Sequence, residues 1–322
     1  MVQFTFIDLF AGIGGFRIGL ENCGGKCVFS CEKDKSAIQT YEANFDCSNH
    51  IIHNDITKLN GDEIPSYDVL CAGFPCQSFS VLGMGRNKSL NNKMGLESVG
   101  KGTLFFDLAR IIKETQPKCF ILENVKNLLK HDKGKTFKII RNILENELGY
   151  NIQYRIINSN HFVPQSRERI FIVGFKEKNN FDFDKMQLPN NDYVLKDVLE
   201  RKSNFDEYTI SDKLFSCYKK QHQKFLSMGF KTEFALRYLN INQKCFTLCC
   251  ECGYNGNMLL KQNNKNPRHL TPLECSRLMG FNKIDGNDFK MLQCKTRAYK
   301  QYGNAVVPQV VEWIGKEIRK FI

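Results

Sequence analysis

The chain has 322 residues, of which 42% are hydrophobic and 25% charged. This composition fits one large folded domain with a smaller appendage and excludes a collagen-like or disordered protein. No apolar run approaches the roughly 18 residues of a membrane span, and the first residues lack a basic region followed by a long apolar core, so a cytoplasmic protein that neither enters a membrane nor is secreted is expected. The 46 basic residues outnumber the 34 acidic ones to leave a net charge of +12, which suits a polyanionic partner better than a small acidic molecule. The excess is regional: residues 1–60 hold 5 basic and 7 acidic side chains, residues 201–270 hold 12 and 5. The 14 cysteines sit mostly inside apolar runs, as at Cys71 and Cys119, which suits small buried side chains in a reducing compartment. Cys245, Cys249, Cys250 and Cys252 lack the paired spacing of a zinc site, and no metal is expected.

Up to about residue 174, short β-rich runs alternate with amphipathic stretches, the pattern of strands joined by helical crossovers. In chain order the spacing predicts strands over 4–9, 27–31, 68–72, 119–122, 153–158 and 170–174. Between them, helices are predicted over 15–23, 35–45, 104–114 and 136–148 from apolar positions at helical spacing. The fold class is α/β, with a Rossmann-type sheet. A polar stretch over 176–191, with Asn, Asp and Lys around Pro189, marks a boundary. The basic segment beyond it has apolar positions too irregular for strands to be assigned. Helical patterning returns at Leu270, with Pro272 near a helix start. From Pro308 onward, Val310, Ile314, Ile318 and Phe321 share one face, and this last helix is expected to dock on the first domain.

Four short signals carry chemistry. Asp8-Leu9-Phe10-Ala11-Gly12-Ile13-Gly14-Gly15 runs a strand into a glycine-dense turn and then a helix, where missing Cβ atoms let a ligand approach the backbone. The next strand ends at Cys31-Glu32, where a carboxylate can accept the two hydroxyls of a ribose. These glycines run G-x-G-G, not the G-x-G-x-x-G of dinucleotide sites, which weakens the case for a nicotinamide-dependent oxidoreductase. Gly73-Phe74-Pro75-Cys76-Gln77-Ser78 follows a strand at the carboxyl edge, where α/β sheets bind ligands. A stiff, polar turn there suits an exposed nucleophile better than a buried thiol. Glu123-Asn124-Val125 supplies a carboxyl group on the same edge. Gln165-Ser166-Arg167-Glu168-Arg169 precedes the last strand of the series, and alternation points Arg167 and Arg169 to one face, suited to anions or carbonyl oxygens.

In this order and spacing, and with Gly303-Asn304-Ala305-Val306-Val307-Pro308 near the end, the signals resemble those of the cytosine carbon-5 DNA methyltransferases of bacterial restriction-modification systems. The resemblance covers essentially the whole chain, including Asn54-Asp55-Ile56-Thr57 and residues 268–280. Only residues 82–101 and roughly 177–267 are individual, and they correspond to the family's mobile loop and variable recognition region. The resemblance implies a Rossmann-like S-adenosylmethionine-dependent methyltransferase fold with a smaller, irregular target-recognition domain. Residues 1–176 would be catalytic and cofactor-binding, residues 177–267 would recognise the target, and residues 268–322 would return to the catalytic domain.

By the same resemblance, Phe10 stacks near the adenine of S-adenosylmethionine, Gly12 and Gly14 admit its methionine moiety, and Glu32 holds its ribose. Asp55 receives the adenine amino group and Ile56 packs on the ring, while Pro75, Leu104, Asn304 and Val306 complete the pocket. Lys33 stands where relatives often place an aromatic residue, so weaker stacking is expected. Cys76 is the implied nucleophile, adding as thiolate to carbon 6 of cytosine so that carbon 5 can take the methyl group. Glu123, expected to be partly buried, would share or donate a proton at ring nitrogen 3. Arg169 and Arg167 would hold the oxygen at carbon 2.

Such attack requires a cytosine flipped out of duplex DNA. Residues 83–102, with Arg86, Lys88, Lys93 and Lys101, are expected to close over the base and its phosphates. The basic 201–270 region would grip the opposite groove, and Thr247-Leu248 resembles a short element of the family's recognition region. A monomer acting beside the chromosomal DNA is expected, with a cognate restriction endonuclease acting separately. Two alternatives remain: a tRNA cytosine-5 methyltransferase, whose branch carries a triplet like Cys245-Phe246-Thr247 but typically Pro-Pro-Cys at the nucleophile, and a non-catalytic DNA-binding relative.

Overall fold

A computed structural model describes residues 2–75, 104–201, 204–229, 236–250, 258–281 and 288–322. They fall into two compact units. One comprises Met1–Asn158, Glu168–Leu188 and Pro308–Ile322, the other Ser159–Arg167 and Pro189–Val307.

The first unit is built on β1 (Phe4–Leu9), β2 (Gly25–Cys31), β3 (Ile51–His53), β4 (Val69–Gly73), β5 (Cys119–Val125), β6 (Asn151–Asn158) and β7 (Glu168–Phe175). They form a seven-stranded sheet in the order β3-β2-β1-β4-β5-β7-β6. The first five run parallel, and β7 runs antiparallel to both β5 and β6. Leu70, Cys71 and Ala72 on β4 and Phe120, Ile121 and Leu122 on β5 are fully buried, as expected for central strands covered on both faces, which read as unbroken apolar runs. The observed strands match the expected ones to within a few residues. The exception is β3, whose three residues are too short and too exposed to leave a pattern.

The helices along the chain are α1 (Gly15–Glu21), α2 (Lys35–Glu42), α3 (Leu104–Thr115), α4 (Lys135–Asn142), α5 (Asp212–Ser227), α6 (Pro272–Leu278), α7 (Lys295–Asn304) and α8 (Pro308–Ile318). α3 buries Phe105, Leu108, Ala109, Ile111 and Ile112 in the core on one face of the sheet. α8 packs on α1 with Val310, Ile314 and Ile318 inward. A Cβ on Gly19 would stand 2.6 Å from both the Pro308 carbonyl oxygen and Val311 Cβ, so only glycine permits this approach.

The second unit contains a hairpin of β8 (Leu259–Gln262) and β9 (Lys265–His269) together with α5 to α7. None of its strands was legible in the sequence, because β9 reads Lys-Asn-Pro-Arg-His and shows no apolar alternation. α5 buries only Tyr218, which packs with Ile210 and Leu259, too narrow a stripe to register as amphipathic. At α6, the Thr271 side chain caps the helix and Glu274 reaches back in a capping box, with Pro272 in the first turn. Glu274 is also paired to Arg268 at 2.7 Å, with both side chains buried.

Asp8 on β1 is fully buried, and among the described residues neither carboxyl oxygen has a hydrogen-bond partner of good geometry. Burial pushes its pKa well above the ordinary carboxylate range, although the Arg17 charge pulls the other way. A group whose pKa is raised on folding favours the folded state fully only below its unfolded value, and that contribution is lost as pH rises. Asp8→Asn is therefore expected to be about as stable as the parent near pH 4. Its advantage should then grow by up to about 1.4 kcal/mol per pH unit until the folded-state pKa is passed. Urea denaturation at pH 4, 5.5 and 7 measures this. A less stable variant at pH 7 would show instead that Asp8 is ionised and paired.

Candidate active site

In the first unit the carboxyl ends of β1 to β5 lie along one edge of the sheet. The chain leaving β1 turns through Phe10, Gly12 and Gly14, all with left-handed φ of 58°, 55° and 88°. This conformation is natural for the glycines and strained for Phe10. At Gly14, a Cβ would fall 2.3 Å from the Phe45 ring, so close packing fixes the turn from behind. At Gly12 the same construction meets nothing nearer than 4.0 Å, leaving that backbone approachable. The Gly12 N–H donates to Glu32 Oε2 and the Asp34 N–H to Oε1, both at 2.8 Å. Glu32 therefore ties the ends of β1 and β2 together and still has lone pairs for further donors.

Beyond β3, Asp55 Oδ1 accepts from the Thr57 N–H at 3.1 Å and hydroxyl at 2.8 Å. These bonds, followed by Lys33, hold the Asp55 carboxyl below its ordinary pKa. Lys33 is exposed and reaches Asp55 Oδ2 at 3.2 Å. Ile56 is buried in the core, and Leu104 at the start of α3 packs against the same cluster. Two carboxylates for hydroxyl and amino donors, an apolar neighbour and an open glycine backbone fit the adenosine part of a cofactor.

The second half of the edge lies at β4 and β5. Glu123 Oε2 stands 3.6 Å from where a Cβ on Gly73 would be. Its other oxygen pairs with Arg169 Nε at 3.1 Å, with the side chains 13% and 17% exposed. β7 runs opposite to β5 and places Arg169 across from Val125, so the guanidinium meets the carboxylate at the sheet's edge. Asn124, buried, donates from Nδ2 to the Phe74 carbonyl at 2.8 Å. It thereby pins the chain where it leaves β4, next to the exposed Pro75. Sequence reasoning gave Asn124 no role, since an Asn beside a Glu leaves no pattern. Cys76, Arg86, Lys88, Lys93 and Lys101 lie outside the described residues.

In the second unit Arg167 differs from Arg169 in what it touches. It is 3% exposed and donates to the carbonyls of Leu248 at 3.0 Å, Gly303 at 3.0 Å and Ala305 at 2.9 Å. The alternation expected across residues 167 and 169 fails because β7 begins only at Glu168. The Thr247 hydroxyl donates to the Ser166 carbonyl at 2.7 Å. Asn304 is exposed at the end of α7, between buried neighbours, whereas Val306 is buried. Cys245 is buried, and Cys249 and Cys250 are exposed.

The sheet, with its open glycine turn and the acid closing the second strand, has the Rossmann-like fold of S-adenosylmethionine-dependent methyltransferases. Two solved structures share the fold. Dnmt2 methyltransferase of S. pombe superposes with a TM-score of 0.76 at 18% identity, over 98% of this chain and 99% of that one. A putative DNA modification methyltransferase encoded within an E. coli prophage gives 0.67 at 22% identity, over 98% of each chain.

Residues 4–320 match the family model for C-5 cytosine-specific DNA methylase, and the chain belongs to that family. Relatives include the Type II methyltransferases M.DsaV of Dactylococcopsis salina, 41% identical over 99% of this chain and 87% of that protein, and M.HhaI of Haemophilus parahaemolyticus, 37% identical over 97% and 93%. The protein is thus a DNA (cytosine-5-)-methyltransferase with S-adenosylmethionine as methyl donor.

Asn124→Ala strands the buried Phe74 carbonyl, and a cost of about 1–3 kcal/mol in urea-denaturation stability is expected. A lower kcat should accompany it as the chain leaving β4 shifts. Unchanged stability and rate would show that the bond does not fix that segment.

Proposed function

We propose that Cys76 is the nucleophile and Glu123 the acid that serves it. The observation supporting this is the placement of Glu123: partly buried, held by Arg169, and beside the Gly73 backbone three positions before Cys76. In this reading the thiolate adds to carbon 6 while Glu123 shares its proton with ring nitrogen 3, so negative charge does not accumulate in the ring. The electron pair so released makes carbon 5 nucleophilic. Arg169 orients Glu123 and lies close enough to the same edge to hold the oxygen at carbon 2. S-adenosylmethionine, when bound, supplies an electrophilic methyl group. After transfer, loss of the carbon-5 proton to a base expels the thiolate and restores the ring. Gly12, Gly14, Glu32, Asp55 and Ile56 hold the cofactor, with Phe10, Lys33, Pro75, Leu104, Asn304 and Val306 completing its pocket.

The substrate in this reading is a cytosine flipped from a specific duplex site. Arg86, Lys88, Lys93 and Lys101 contact its phosphates, and Thr247 belongs to the recognition region, residues 177–267. Relatives named as Type II methyltransferases support a role in protecting DNA from a cognate restriction endonuclease. We take the enzyme to be a monomer acting beside the chromosome in the cytoplasm. Among the described residues no helix is long and apolar enough to cross a membrane.

Duplex DNA containing 5-fluorocytosine should trap the protein covalently when the cofactor is present, and Cys76→Ala should abolish the adduct; an adduct that survives this change would assign the nucleophile elsewhere. Glu123→Gln should lower kcat by about 10²- to 10⁴-fold. Labelled methyl groups should pass to duplex DNA and not to tRNA. Transfer to tRNA alone would move the enzyme to the other substrate, to which the Cys245-Phe246-Thr247 triplet points.

A further inference from the structure

The network around Arg167 lies entirely in the second unit and joins segments far apart in sequence. Residues 164–167 run beside residues 245–248: the Cys245 N–H donates to the Pro164 carbonyl and the Ser166 N–H to the Cys245 carbonyl, both at 2.8 Å. Gln165, fully buried, accepts from the Leu248 N–H at 2.8 Å and donates to the Leu278 carbonyl at 3.0 Å. The Arg167 guanidinium then bridges Leu248 to Gly303 and Ala305, the residues on either side of Asn304. Gly303 makes the same junction by packing alone, since a Cβ there would stand 2.5 Å from Cys249 C and Cys250 N. The segment over 245–250 and the turn over 303–306 therefore lie backbone to backbone, and one planar fork of donors spans them.

A guanidinium at 3% exposure with three carbonyls in hand is badly placed to hold a substrate that enters and leaves. It is well placed to fix a register, because its rigid geometry constrains both segments at once. Gly303 and Asn304 end α7 and the chain then turns into α8, so a shift at Arg167 would move Asn304, the exposed side chain of that turn.

We propose that Arg167 is a positioning residue that couples the segment carrying Thr247 to the turn carrying Asn304 and Val306, so that one side chain sets affinity for both DNA and cofactor. This rests on the reading above, in which Thr247 belongs to the DNA-recognition region and Asn304 and Val306 complete the cofactor pocket.

The test measures equilibrium binding, not turnover. Dissociation constants for S-adenosylhomocysteine and for a duplex containing the target site are determined for the parent, Arg167→Met, Arg167→Lys, Gly303→Ala and Asn304→Ala, with circular dichroism to confirm folding. Losing charge-assisted bonds to a buried group should weaken both ligands by about tenfold or more in Arg167→Met. Arg167→Lys, which keeps the charge but not the fork, should fall between, and Gly303→Ala should reproduce the double loss from the opposite side of the junction. Asn304→Ala should weaken the cofactor analogue alone. If folded Arg167→Met or Arg167→Lys loses affinity for one ligand only, or for neither, the coupling role is overturned. No effect of Asn304→Ala would remove that residue from the cofactor site, and the two-ligand result at Arg167 would still decide the coupling.

Discussion

The antiparallel pairing of β7 with β5 is the constraint on which the reactive edge depends. Five parallel strands bring their carboxyl ends to one side of the sheet, but a parallel neighbour could only add another carboxyl end there. By reversing direction, β7 delivers its amino end, and with it Arg169, beside the carboxyl end of β5. The pair between Arg169 and Glu123 at 3.1 Å is the direct result. It places opposite charges at a partly solvated rim, where the cost of removing ions from water is lower than in the interior.

Burial separates the cysteines by chemistry. Cys71 and Cys119 lie inside central strands, and burial pushes both thiols far above their ordinary pKa. The Cys71 thiol also donates to the Ile7 carbonyl at 3.0 Å. Cys245, although at the junction of two segments, is pushed up to about 12 by burial. None of these three can offer a thiolate at neutral pH. Asn124 holds the Phe74 carbonyl, just beyond β4, from within the core.

Glycine acts at both ends of the chain by allowing close approach of backbone. At Gly19 it admits the terminal helix against α1, and at Gly303 it admits the turn after α7 against residues 249 and 250. In both places a polar main-chain atom fills the space a methyl group would take, so the join resists even the smallest side chain. The second junction also carries Arg167, and the two devices together specify one register where packing alone would tolerate sliding.

The parallel strands other than β3, and the motifs at their ends, were legible in the sequence because each is a local pattern: an unbroken apolar run, a glycine cluster, a Pro-Cys step, a carboxyl group where a strand ends. The family follows from the order of those patterns. The hairpin of β8 and β9 was not legible, since strands with a Pro and three basic residues between them owe their pairing to neighbours and not to their own composition. Nor did spacing reveal that Arg167 and Arg169, two positions apart, serve different partners. That depended on where β7 begins and on which carbonyls other segments bring near, and only the folded chain brings residues 248, 303 and 305 to residue 167.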